Sequence, residues 1–241
     1  MKIVSFKICP FVQRVIGVLE LKGVDYEVEY ISLADKPDWF LKVSPHGQVP
    51  ILITDEGVLF ESEPIAEYID EIYDDTNLHP KDPFLKAQNR AWVSLASRNY
   101  LVQCHTQRSS TSHELEENLE KLGEVFRKVE IAKMDGSYFN GDNISQVDVA
   151  WFVILYRTHL VYECTNIDFL ADYSILREWR DNLLKVESLR KSAPKGFEDE
   201  FSNFYLNENT YLGDVMRSNA GGCGSADAAC CDAETLTLCC R

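Results

Sequence analysis

The chain has 241 residues, 45% hydrophobic and 26% charged, which is the composition of a folded globular protein and excludes a disordered or collagen-like one. Thirty-nine acidic against 24 basic side chains leave a formal net charge of -15. Phosphate surfaces repel such a chain, so nucleic acid and anionic lipid are excluded as default partners, leaving small molecules and proteins. Its length suits one large domain or two smaller ones, and either can bury a core.

Residues 1–75 alternate between strand and helix signals. Lys2 to Ile8 reads as a strand, and Pro10 then presets a first helical turn, continued at helical spacing by Phe11, Val15, Val18 and Leu19 up to Gly23. Tyr26 to Ile31 alternates as a second strand, and Pro37 to Val43 makes a short helix. Val49 to Thr54 and Val58 to Phe60 flank Asp55, Glu56 and Gly57, which is a hairpin signal. Ser62 suits the N-cap of a helix from Glu63 to Tyr73, with Ile65, Ile69 and Ile72 on one face. The pattern βαβ, then α, then ββα predicts an α/β domain over residues 1–78.

Residues 74–83 (DDTNLHPKDP) hold two prolines among turn formers and read as a linker. Beyond it the spacing predicts helices over Phe84 to His105, Glu114 to Lys133, Val147 to Val161 and Leu176 to Val186. The expected fold class is therefore α/β plus all-α: a domain of residues 1–78, an all-helical domain of 79–205, and an extension of 206–241. Both halves are acidic, with 15 acidic and 6 basic side chains in residues 1–78. The opening segment is broken by Lys7, and the most apolar run, Val147 to Leu155, falls far short of the roughly 20 residues of a membrane span. A soluble, reducing, cytoplasmic setting with no membrane partner is expected.

Cys9 is the candidate nucleophile, against the bland reading of a small buried apolar residue. It stands where the first strand meets the first helix, and unpaired N–H groups with the helix dipole favour an anion there. Such a site can lower a thiol from about 8.5 into a range of roughly 3.5 to 7.5. Val12 occupies the place of a second Cys-x-x-Cys cysteine, so an external thiol must resolve any mixed disulfide. Glu61 and Ser62, at the start of the third helix, suit both ends of an α-amino acid: helix amides and the Ser62 hydroxyl for its carboxylate, Glu61 for its ammonium group. The same pair also suits a plain helix cap. Val49-Pro50 opens a strand; a cis bond there would turn the Val49 backbone outward, where an extended peptide could pair with it.

The segments CPFVQRV, KPDWFLKVSPHGQVPIL and FESEPIAEYID, in this order, resemble the thioredoxin-like domain of the cytosolic glutathione transferases, most of all the omega class and the related dehydroascorbate reductases. The resemblance runs from residue 1 to about 205 and includes a capping box at Ser145 and Asp148, opening a central buried helix. It implies glutathione as co-substrate, with no metal in the catalytic site, and Cys9 as the residue that forms a mixed disulfide with it. It also implies Phe11 beside Cys9, Lys36 at the glycine carboxylate, Val49 with Pro50 along the cysteinyl backbone, and Glu61 with Ser62 at the γ-glutamyl end. Phe11 would equally suit a core and Lys36 a solvated face. Cysteine, where most relatives carry Tyr or Ser, implies thiol transfer or reduction of a small electrophilic or oxidised substrate, in a homodimer. Trp92, Arg98, Tyr100 and His105 are candidates for the second-substrate site.

Members of this fold also serve as non-catalytic binding proteins, which is the competing reading. Five of the eight cysteines, Cys223, Cys230, Cys231, Cys239 and Cys240, crowd the last 21 residues. That tail is too poor in large apolar residues for a core of its own; it reads as a disordered extension, a soft-metal site, or a peptide processed after Gly221-Gly222.

Overall fold

The computed structural model describes residues 1–73 and 77–220. The first part runs β1 (Lys2–Ser5), α1 (Pro10–Lys22), β2 (Glu27–Tyr30), α2 (Asp38–Val43), β3 (Ile51–Ile53), β4 (Val58–Phe60) and α3 (Ser62–Ile72). Its sheet has the order β2-β1-β3-β4; β1 pairs in parallel with β2 and antiparallel with β3, and β4 closes an antiparallel hairpin on β3. This is the thioredoxin-like βαβ-α-ββα arrangement. The second part is helical: α4 (Pro83–Gln107), α5 (Ser112–Ala132), α6 (Gln146–Thr165), α7 (Ser174–Leu184), α8 (Glu187–Lys191), α9 (Phe197–Tyr205) and α10 (Tyr211–Ala220).

The apolar run beginning at Val147 is the middle of this structure. Residues Val147 to Leu155 are all buried in α6, which packs against α4 on one side and α1 on another. Burying each aliphatic side chain of this kind contributes about 1.5–3 kcal/mol relative to exposure. The predicted capping box is formed: the Ser145 N–H and O–H donate to Asp148 Oδ2 at 2.8 and 2.7 Å. Asp148 Oδ1 accepts from the Phe139 N–H and from Trp179 Nε1, both at 2.8 Å, so one buried carboxylate ties a loop, a helix start and α7 together. No helix among the described residues is long and apolar enough to cross a membrane.

Several elements differ from the sequence expectation. β1 ends at Ser5 instead of Ile8, because the chain turns back so that the Cys9 N–H donates to Phe6 O at 3.0 Å. The N-cap of α3 is Glu61, at φ 68°, and Ser62 is the first helical residue; its hydroxyl is taken by Arg14. Ile65 and Ile69 are fully buried, but Ile72, at the helix end, is 45% exposed. α10 packs on α6, so residues 211–220, expected in the extension, lie against the helical part. The five tail cysteines, with the disordered, metal-binding and processed-peptide readings placed on them, lie outside the described residues.

Candidate functional site

One cavity of about 450 Å³ is lined by Cys9, Phe11, Lys36, Val49, Pro50, Glu61 and Ser62 together, so the residues singled out in four separate segments meet in space. Cys9 is the N-cap of α1, with Pro10 in the first turn. The segment between α2 and β3 is folded back by Ser44, whose Oγ donates to Gln48 O and accepts from the Gln48 N–H, each at 3.0 Å. That turn delivers Val49 to the cavity, and the Val49-Pro50 bond is cis. Glu61 adopts a left-handed backbone, φ 68° and ψ 122°, which β-carbon-bearing residues rarely occupy. The bend there turns the chain from β4 into α3 and sets Glu61 and Ser62 side by side on the cavity wall.

Buried Arg14 stands behind Ser62. Its Nη2 donates to Ser62 Oγ at 2.5 Å, its Nη1 to Ser97 Oγ at 2.7 Å, and Nη1 lies 3.6 Å from Glu63 Oε1. A guanidinium has only donors, so the Ser62 oxygen accepts from it and its own proton is left for another acceptor. A carboxylate in the cavity would be such an acceptor.

The environment of Cys9 departs from expectation. It is 7% exposed, and burial pushes its thiol up to about 11, although the backbone amides of Val12 and Phe11 and the Arg157 cation all act the other way; Cys104 adds to the rise. The helix start alone would favour the thiolate. Burial beneath the helical part outweighs it, because desolvation penalises the charged form.

The cavity also recruits residues that sequence reasoning passed over, among them Leu33, His46, Gln48, Phe60 and Leu101. His46 and Gln48 fall inside the HGQVP stretch and were within reach of that motif. Leu101, in the middle of α4, has no local signal. None of the four α4 candidates lines this cavity. Trp92 and Arg98 line a separate open groove between α3 and α4, Tyr100 is buried and donates to Ala150 O at 2.8 Å, and His105 is exposed. Tyr100 also packs edge-on against Phe11, ring centroids 5.2 Å apart, so Phe11 serves the core as well as the cavity wall. Among the described residues no group of three or more His, Cys, Asp or Glu side chains is placed to hold a metal ion.

Residues 3–77 match the family model for the glutathione S-transferase N-terminal domain, and residues 112–182 that for the C-terminal domain. Glutathione S-transferase omega-1 of Mus musculus is 33% identical over 216 residues, covering 86% of this chain and 87% of the mouse protein. Among solved structures, glutathione transferase Omega 3C from Trametes versicolor superposes with a TM-score of 0.70 at 25% identity, covering 79% of this chain and 87% of that one. The Tau class glutathione S-transferase MiGSTU from Mangifera indica has the same fold, with a TM-score of 0.73 at 23% identity over 84% of this chain and 96% of that one. Two family models in order along one chain, and a relative at one-third identity over most of it, make this chain a member of the glutathione S-transferase family.

Proposed function

We propose that the protein is a cysteine-type, omega-like glutathione transferase acting as a glutathione-dependent thiol transferase or reductase. The observation that carries the reading is the meeting of Cys9 with Phe11, Lys36, Val49, Pro50, Glu61 and Ser62 around one cavity. Lys36 supplies the cation for the glycine carboxylate, the Val49 backbone pairs with the cysteinyl residue, and Glu61 with Ser62 holds the γ-glutamyl end. The Cys9 thiolate attacks the glutathionyl sulfur of a substrate mixed disulfide; that S–S bond breaks, the substrate leaves as thiolate and takes up a proton, and a Cys9–glutathione disulfide forms. A second glutathione thiolate then attacks the glutathionyl sulfur of that disulfide, releasing oxidised glutathione and restoring the Cys9 thiolate. A small oxidised or electrophilic substrate, a homodimeric state and a cytoplasmic setting complete the reading.

The test is the Cys9→Ser variant with glutathione and a hydroxyethyl–glutathione mixed disulfide. Turnover should fall to background, and turnover equal to that of the unaltered protein would overturn the proposal. The deep burial of Cys9, with its thiol pushed up to about 11, favours a second reading: a glutathione-binding member with little catalysis. That reading requires glutathione at millimolar concentration to raise the Tm while the unaltered protein turns over none of dehydroascorbate, the mixed disulfide or a chloronitrobenzene.

A further inference from the structure

Arg157, in the middle of α6, is completely buried, yet no carboxylate pairs with it among the described residues. Its Nη2 donates to Ile8 O at 2.9 Å and to Gln13 Oε1 at 3.1 Å, which are both neutral acceptors. Its Nε and Nη1 have no hydrogen-bond partner. The ring of Phe197 lies 5.3 Å and that of Phe201 6.0 Å from the guanidinium carbon, so α9 covers the cation with two aromatic faces. A buried, under-satisfied cation is costly, and a fold that keeps one holds it where a negative charge can meet it.

The two neutral acceptors say where that charge is. Ile8 is the residue immediately before Cys9, and the Gln13 N–H is bonded to Cys9 O at 3.1 Å, so the guanidinium is tied to the backbone just before the thiol and to the side chain of the residue that closes the first helical turn on it. None of the other titratable groups around it among the described residues pairs with it. Burial holds the phenol of Tyr100, on α4, above its usual range and pushes that of Tyr156, on α6, up to about 12, so both stay neutral near pH 7. Glu198, on α9, accepts a 3.4 Å hydrogen bond from Tyr156. The Cys104 sulfur, on α4, accepts from Tyr205. Arg14, on α1, is a second cation, engaged with Ser62, Ser97 and Glu63.

We infer that Arg157 is a positioning residue for Cys9: its buried guanidinium, fixed by the Ile8 carbonyl, Gln13 and the two α9 rings, is the counter-charge held ready for the Cys9 thiolate. The inference rests on the reading of Cys9 as the nucleophile. It adds that a side chain of the helical part sets that thiol's reactivity.

The test measures alkylation of Cys9 by iodoacetamide, followed on the Cys9 peptide by mass spectrometry from about pH 7 up to about pH 12, so that the Cys9 titration at about 11 falls inside the window, with the Cys164 peptide as internal reference. It needs no glutathione and no turnover. Gln13→Glu keeps the side-chain size and sets a carboxylate against Nη2, neutralising the cation in place. Both Gln13→Glu and Arg157→Gln should slow Cys9 alkylation about ten-fold at pH 7, equivalent to a rise of about one pKa unit, and move its alkaline rise to higher pH. Arg157→Lys should stay within about three-fold of the unaltered protein. A merely structural Arg157 would lower the Tm and open the site, so that Cys9 reacts faster with its pH profile unmoved; that result, or an unchanged profile in Gln13→Glu, overturns the inference. Failure of the thiol-transfer reading shows separately, as turnover that survives Cys9→Ser.

Discussion

Arg14 Nη2 and Ser62 Oγ are 2.5 Å apart, so a fully buried cation on α1 is bonded directly to a hydroxyl on the cavity wall. The bond turns the Ser62 proton away from Arg14 and places positive charge behind the spot where a ligand carboxylate would rest. Arg14→Met should weaken glutathione binding about ten-fold, or about 1.4 kcal/mol, with Arg14→Lys in between. Titration calorimetry reads this directly. Unchanged affinity in Arg14→Met would show that Ser62 does not receive the carboxylate.

Lys22 and Asp70 form a buried pair joining the end of α1 to α3, with Nζ 2.6 Å from Oδ1 and side chains 1% and 6% exposed. Lys22 also donates to Tyr73 O at 2.6 Å, and Asp70 Oδ1 accepts from the Leu78 N–H at 3.1 Å. The pair therefore also fastens the start of the connection to α4. Breaking such a pair from one side leaves a charge uncompensated, at a cost of about 3–5 kcal/mol. Asp70→Asn should lower denaturant stability by an amount in that range, whereas Lys2→Ala, which removes a surface pair with Glu29, should change it by less than about 1 kcal/mol.

Glu67 on α3 meets His79 Nε2 at 2.9 Å and is held by Arg90 of α4 through a two-pronged ion pair. Burial, the largest single influence, would raise its carboxyl, but the hydrogen bonds and charges of His79 and Arg90 together outweigh it and hold the group at about 2, below an ordinary 4.5. A carboxyl lowered in the folded state stabilises above its unfolded value and loses that contribution as the pH falls towards the folded one. Glu67→Gln should therefore have the lower Tm at pH 7, with the gap to the unaltered protein closing between pH 4.5 and pH 2. A gap independent of pH would show that the carboxylate charge contributes nothing to the clasp.

How far the site could be read in advance follows from where each residue stands. Cys9, Val49, Pro50, Glu61 and Ser62 lie at or beside the ends of elements, where a proline, a helix start or a strand start leaves a local mark. Lys36, in the loop before α2, has no such mark and entered through resemblance alone. Leu101 was illegible because α4 repeats helical spacing from end to end, and which face meets the cavity depends on its packing against α6. The direction of the Cys9 shift is beyond local reading for a related reason: the helix start acts locally, whereas burial, and the charges of Arg157 and Cys104 from far along the chain, depend on the folded packing. Glu61 shows the same limit, since nothing in the residue type announces a left-handed backbone that displaces the cap by one position.

Gly17 tests how closely the site depends on the packing of α1 against α6. A β-carbon at Gly17 would stand 2.9 Å from Val149 Cγ1, closer than real side chains approach, and 3.7 Å from Ser192 Cβ. The glycine is helical, so alanine would gain roughly 0.8–1.0 kcal/mol of helix propensity if space allowed. Overpacking costs about 1–3 kcal/mol and forces the helices apart. Since α1 carries Cys9 at its N-terminus and α6 carries Arg157, separating them stretches the bonds from Arg157 to Ile8 and Gln13. Gly17→Ala should thus be destabilised by up to about 2 kcal/mol net in urea unfolding, and Cys9 should react at a different rate with iodoacetamide at constant pH. A gain in stability would mean that Val149 moves aside without cost and that the α1–α6 contact is looser than its geometry indicates.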